Sequence, residues 1–246
     1  MIAEQMALYA GVGFTAGLMS GIFGIGGGSI RIPLLNVCGM PLLNAFAVNM
    51  LVIPFAQSVG AYTHRKNIDK NIALYAVIGG VLGSIAGAMF TGLFSTLILS
   101  IIFVAVALLT IVGLYLDRIF PKLSQRLTPS LKNIVLGAFV LNLITGMRGG
   151  SGGSLFPPFL KAMHLEIHKA IATSLFVTIF TASAAVIIYW NRGNIPWLSA
   201  LSVLIGSIIG ARIGSKISLK TEPFWLKIGL SIVVISLASL TVYKAL

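Results

Sequence analysis

The sequence predicts an all-α integral membrane protein of two inverted-topology repeats. Each repeat is a glycine-rich re-entrant, broken-helix hairpin followed by three transmembrane helices. Three observations carry this. First, 57% of the 246 residues are hydrophobic and 9% charged, with a mean hydropathy of +1.02; a soluble domain of this length needs far more polar surface. Second, a glycine-rich stretch occurs twice, as "SGIFGIGGGSIRIPLL" at 20–35 and "TGMRGGSGGSLFPPFL" at 145–160. Third, lysines and arginines gather in some loops and avoid others, the pattern of cytoplasmic and external sides.

Apolar stretches lie at about 6–38, 41–63, 71–92, 94–116, 132–160, 170–190, 195–215 and 223–246. Runs of roughly 20 apolar residues read as membrane-crossing helices. No basic segment precedes the first run, so no cleaved signal peptide is expected. The single cysteine, Cys38, excludes an intrachain disulfide or a cysteine metal cluster and reads as a small buried apolar residue. The net charge of +12 belongs to membrane topology and not to nucleic-acid binding.

The two glycine-rich stretches are offset by 125 residues and agree at seven of sixteen positions: Gly21/Gly146, Gly24/Gly149, Gly27/Gly152, Gly28/Gly153, Ser29/Ser154, Pro33/Pro158 and Leu35/Leu160. Downstream, "HRKNID" at 64–69 resembles "NRGNIP" at 191–196 with a two-residue shift, which then aligns Gly79, Gly83 and Gly87 with Gly206, Gly210 and Gly214. The chain therefore divides into 1–125 and 126–246. Small residues at this spacing form helix-packing faces, and such faces make a homodimer conceivable.

Charge sets the parity. Loops 64–70, 117–132 and 161–169 and region 212–227, with loop 216–222, hold 13 of the 17 basic residues, among them Arg118, Arg126 and Lys132. Placing them in the cytoplasm leaves Arg192 and Lys244 outside, and Arg31 and Arg148 in the glycine-rich stretches. Stretch 132–160 must then start and end inside, and 6–38 must start and end outside. Each has about 30 residues, too few for two crossings. Each is therefore read as a helix, a glycine turn and a shorter returning helix. The halves run in opposite directions, an arrangement that recurs in secondary transporters. A bacterial inner membrane is the expected location.

A helix broken in lipid leaves unpaired backbone groups, tolerated only where protein or a cavity satisfies them. Glycine permits the turn and lets a ligand approach the backbone. A returning helix that starts near Ser29 or Ser154 aims free N–H groups at the turn, a ready anion site. The candidate binding residues are thus Gly26, Gly27, Gly28, Ser29 and Arg31 in the first hairpin, and Arg148, Ser151, Gly152, Gly153 and Ser154 in the second. An arginine at mid-depth costs about 2.5–3.5 kcal/mol on insertion scales. The acids Glu4, Asp69, Asp117, Glu166 and Glu222 fall in loops or at the terminus and offer no counter-charge, so the missing anion is the cargo. Arginine also serves as a structural brace for orphan carbonyls or snorkels to the interface. Asn49 and Gln57 on 41–63 and Thr173 and Ser174 on 170–190 complete the candidates, with Asn142, Thr145, Thr178 and Thr181 nearby. Such polar groups also act as interhelical glue.

Other motifs lead elsewhere. "GGSGG" at 149–153 fits a G-x-S-x-G nucleophile elbow, which needs a strand–turn–helix and a base. The histidines His64, His164 and His168 fall in expected cytoplasmic loops, so a hydrolase using Ser151 is the weakest alternative. His164 and His168 lack an evident third metal ligand. "GIFGIGGGS" has no Lys-Ser or Lys-Thr pair and is not a P-loop. No cofactor and no metal are expected.

The two hairpins, each followed by an Ala-x-x-[Asn/Ser] helix start ("AFAVN", "AIATS"), resemble the TauE/SafE sulfite exporter family, also called TSUP. The resemblance spans nearly the whole chain. The second copy departs where Ser151 replaces a glycine and Pro157 adds a proline. It implies a multi-span transporter, not an enzyme, that exports a sulfur-containing anion such as sulfite or an organosulfonate. Alternating access around the turns is the expected mechanism, with an anion channel of the same architecture as the alternative. A proton can travel on the cargo, because sulfite titrates near neutral pH.

Overall fold

The structure is a computed structural model that describes residues 2–91 and 130–243, and between them positions 93, 95, 98, 101, 104, 105, 108, 112, 115 and 119–122. All regular structure among these residues is helical. The first hairpin is α1 (Ile2–Phe23) and α2 (Gly28–Val37); α3 (Leu42–Thr63), a 3-10 turn (Arg65–Asn67) and α4 (Lys70–Met89) follow. The second hairpin is α5 (Leu131–Gly146) and α6 (Phe156–Ala162), followed by α7 (Ile167–Asn191), α8 (Trp197–Lys220) and α9 (Pro223–Tyr243). Most of the span expected at 94–116 and of the loop 117–132, including Asp117, Arg118 and Arg126, lies outside the described residues, as does Lys244.

Among the described residues, five helices are long and apolar enough to cross a membrane: α1 from Ala3, α3, α4, α7 and α8. The fold is that of a multi-pass membrane protein. Their outward faces carry large apolar side chains, such as Leu74, Ile78 and Leu82 on α4 and Ile205, Ile209, Ile213 and Ile217 on α8. Such faces are unfavourable in water and favourable in hydrocarbon. The first leg of the first hairpin departs from a helix cut short at mid-depth: at 22 residues it is about 33 Å long, enough by length and composition to cross a membrane. Loop 216–222 departs too: α8 continues to Lys220, because the exposed Lys216 and Lys220 can keep their ammonium groups in water while the stems stay on the helix.

Local chemistry places the helix starts. Asp69 precedes α4 and accepts from the Ile72 N–H at 3.1 Å, and Ser130 precedes α5 and accepts from the Asn133 N–H at 3.3 Å; both satisfy an orphan donor. Pro157 and Pro158 sit in the first turn of α6, where a missing N–H breaks no helical bond.

Packing crosses between the halves. α1 lies along α8, α5 lies along α4, and α3 and α7 pack on each other, α3 also on α8 and α7 also on α4. Glycine makes this closeness possible. A Cβ on Gly206, Gly210 or Gly214 would strike the backbone of Ala10, Phe14 or Leu18 of α1, and one on Gly79, Gly83 or Gly87 would strike Val135, Phe139 or Leu143 of α5. These two stripes are therefore filled within the chain and are not the free faces that make a homodimer conceivable. Cys38, expected to be buried, is half-buried at the end of α2.

Candidate functional site

Each hairpin turns on glycines in the left-handed region: Gly24, Gly26 and Gly27 (φ near +72°), then Gly149 and Gly152 (φ +69° and +73°). Such φ values favour glycine strongly. The two turns touch. A Cβ on Gly153 would lie 2.8 Å from the Gly26 Cα, and one on Gly26 would lie 3.4 Å from the Ser151 Oγ. Sequence reading puts glycine at both turns; the structure adds that they press backbone on backbone.

Each turn is held by a helix of the other half. The Asn49 side-chain amide on α3 donates to the Gly149 carbonyl at 2.7 Å, and the Ser174 hydroxyl on α7 donates to the Gly24 carbonyl at 2.7 Å. Asn49 and Ser174 are 125 residues apart, as are Gly24 and Gly149, so the brace is reciprocal. These two side chains cover carbonyls that the broken helices leave open.

Arg31 is fully buried in the first turn region of α2. Its Nη1 donates to Asn49 Oδ1 at 2.5 Å, while Nε and Nη2 have no partner. Nη2 lies beside Gly27, where a Cβ would be 3.0 Å away. Gln57 donates to the Ser20 Oγ at 2.7 Å and leaves its Oε1 unpartnered. On the opposite hairpin Ser151 Oγ and Asn142 Oδ1 are buried and unpartnered, and Thr181 donates to the Ser151 carbonyl at 3.2 Å. Buried polar groups in proteins are ordinarily satisfied by protein or ordered water, and these atoms are open to a polar partner. Two guanidinium nitrogens and a serine hydroxyl can donate to an oxyanion.

The other expected residues divide. Gly28 packs against the Asn49 amide and Gly152 against Asn142. Ser154 is buried and Ser29 is half-buried. Arg148 is only half-buried and does not match Arg31: the repeat alignment sets Arg31 against Phe156 and Arg148 against Phe23. Thr173 accepts from the Asp69 main-chain N–H at 3.1 Å, which ties the loop before α4 to α7. Sequence reading missed Ser20, although it aligns with Thr145 just before Gly21 and Gly146. Ser151 Oγ has no hydrogen-bonded base, which a serine nucleophile needs. His64 stands at the head of its loop, as the C-cap of α3, and is 1% exposed. Among the described residues no three His, Cys, Asp or Glu side chains gather at one place.

The family described as sulfite exporter TauE/SafE matches this chain over residues 9–241. Similar proteins include the probable membrane transporter protein YjnA of Bacillus subtilis, 26% identical over 229 residues, 86% of this chain and 90% of that protein. The probable membrane transporter protein MJ0441 of Methanocaldococcus jannaschii is 25% identical over 238 residues, 89% of each. The probable membrane transporter protein YfcA of Escherichia coli is 25% identical over 220 residues, 85% of this chain and 78% of that protein. No solved structure matches.

Proposed function

The chain belongs to the TauE/SafE sulfite exporter family and is a membrane transporter rather than an enzyme, and we propose that it exports a small sulfur-containing anion, sulfite or an organosulfonate, by alternating access around the paired glycine turns. The observation that carries this is Arg31. It is a fully buried guanidinium with two nitrogens free, bonded to a neutral amide and not to a carboxylate. A bare charge costs several kcal/mol to bury, an expense that an anion offsets when it arrives. Among the described acids, Asp69 and Glu166 directly precede helices, Glu222 sits beside α9 and Glu4 is exposed on α1. None is buried against Arg31.

The inverted arrangement of 1–125 and 126–246 is part of the same reading, with loops 64–70 and 161–169 in the cytoplasm of a bacterial inner membrane. The exchanged packing of α1 with α8 and α5 with α4 supports it. Asn49 and Ser174 each lie seven residues into their helices, about 10 Å along. With α3 and α7 running in opposite directions, those anchors straddle the midplane. Rocking one half against the other then exposes the turns first to one side and then to the other.

Sulfite flux into liposomes carrying the purified protein tests this. Saturable flux is expected, reduced at least about tenfold by Arg31→Gln, the loss of a charge-assisted contact. Arg148→Gln is expected to have a smaller effect. Flux without saturation would indicate the channel alternative. Absence of flux from folded wild type would reject sulfite, and sulfonates would be assayed next.

A further inference from the structure

A second set of buried polar side chains without partners lies away from the glycine turns. It sits where the end of α3 packs on α7 and on α8, with His64 facing His168 of the first and Ser215 of the second. His64 has neither ring nitrogen hydrogen-bonded, and His168 Nδ1, Ser215 Oγ and Ser218 Oγ are likewise buried and unpartnered. The pieces are close. A Cβ on Gly60, one turn before His64, would lie 3.1 Å from the Ser215 Oγ. The 3-10 turn Arg65–Asn67 packs on α7, and His168 acts electrostatically on His64. Packing alone does not select such atoms at the ends of packed helices, because each forfeits hydrogen bonds it had in water.

A cavity of about 390 Å³ is lined by chain neighbours of the two histidines, Lys66, Asp69, Lys70 and Lys169 among others. Lys169 follows His168 in the chain, and Lys66 is two residues from His64. α3 comes from the first half and α7 and α8 from the second, so the cluster sits at a seam between halves.

We infer that His64, with His168 beside it, is a proton-binding site that couples proton uptake to opening of the α3–α7–α8 seam. The proton comes from water in the loop cavity and goes onto a ring nitrogen of His64; no bond is broken. The inference rests on the transport reading only for what the opening serves.

The sign follows from the surroundings. Burial, and then the neighbouring His168, hold His64 at about 4, against a smaller opposing pull from the Ser215 main chain, which lies close without completing a hydrogen bond. Of the charged side chains on these elements, Arg65, Lys66, Lys70, Lys169, Arg212, Lys216 and Lys220 are exposed and Asp69 caps α4. His64 is thus neutral in this structure near pH 7. An opened, hydrated seam returns it toward its ordinary value of about 6.5. The closed form binds fewer protons, so it is favoured at high pH. It loses ground as pH falls below about 6.5, by up to about tenfold in population per unit until about pH 4.

Amide hydrogen exchange of the purified full-length protein across 58–70 and 210–220 reads this directly, once corrected for the intrinsic pH dependence. Between about pH 7.5 and about pH 5, wild-type protection is expected to fall about tenfold or more. His64→Gln is expected to flatten the response, and His168→Gln to move it to higher pH by removing a like charge. A flat wild type, or a His64→Gln that loosens as wild type does, overturns the inference. If His64→Gln does not fold, an unshifted response in His168→Gln overturns it. Methanesulfonate flux in the same samples separates the two readings, since that charge does not change over this range. Loosening without flux of any anion keeps the proton site and rejects the cargo; flux with flat exchange rejects the proton site alone.

Discussion

Arg31 and Asn49 share one hydrogen bond, and each has further work. Asn49 faces two ways, accepting from Arg31 and donating to the Gly149 carbonyl. Both roles need an amide. Asn49→Asp supplies Arg31 with a fixed carboxylate and loses the donor to Gly149. The expected result is a folded protein with sulfite flux at least about tenfold lower, because a tethered anion now competes with cargo. Flux equal to wild type would show that the guanidinium is a brace only. The pairing of Asn49 with Ser174 was legible in the sequence, since both lie one repeat length apart. That they reach each other's turns was not, because an alignment gives equivalence but no contact. The two arginines show the opposite error. They look alike as charges in glycine-rich stretches, yet the alignment never paired them, and one is fully buried while the other is half-buried. Thr173 shows a third limit: periodicity places it on α7 without revealing that the Asp69 N–H occupies its hydroxyl.

Helix bounds were readable because apolar runs and their basic ends delimit them. The stretches at 41–63 and 170–190 became Leu42–Thr63 and Ile167–Asn191. The glycine stripes were readable as packing faces; their partners were not, since four-residue spacing names a face and leaves its neighbour open. Those partners now give a graded test. Gly210→Ala and Gly83→Ala each drive a methyl into a backbone carbonyl of the facing helix, Phe14 and Phe139. Each is expected to destabilise by about 1–3 kcal/mol, measured as a lowered melting temperature in detergent. Gly11, also in a helix, has nothing within 4 Å of an added Cβ. Gly11→Ala is expected to be neutral or to stabilise by up to about 1 kcal/mol. Equal losses at all three sites would mean that the stripes do not set the helix separation.

At the scale of the whole molecule, the composition reached the membrane class, while the two-half plan rests on the doubled glycine stretch and the sidedness on counting lysines and arginines, and both belong to the proposal. Single cysteines in a Cys38→Ser background check the sidedness. Lys66→Cys, Lys161→Cys and Lys220→Cys are expected to react with a membrane-impermeant maleimide only from the cytoplasmic face, and Asn194→Cys only from the other. One face for all four would end the inverted arrangement.

The exchanged packing also has a consequence for synthesis. The partner of α1 is α8, whose first residue follows the last residue of α1 by 174 positions, from Phe23 to Trp197. At about 5–20 residues per second, the ribosome needs roughly 9–35 s to supply it. Until then the grooves at Gly13, Gly17 and Gly21 face lipid or the insertion machinery, and the Gly24 carbonyl awaits Ser174. The first half is therefore a waiting intermediate during its own biogenesis, and truncation before α8 should make it a substrate for membrane quality-control proteases.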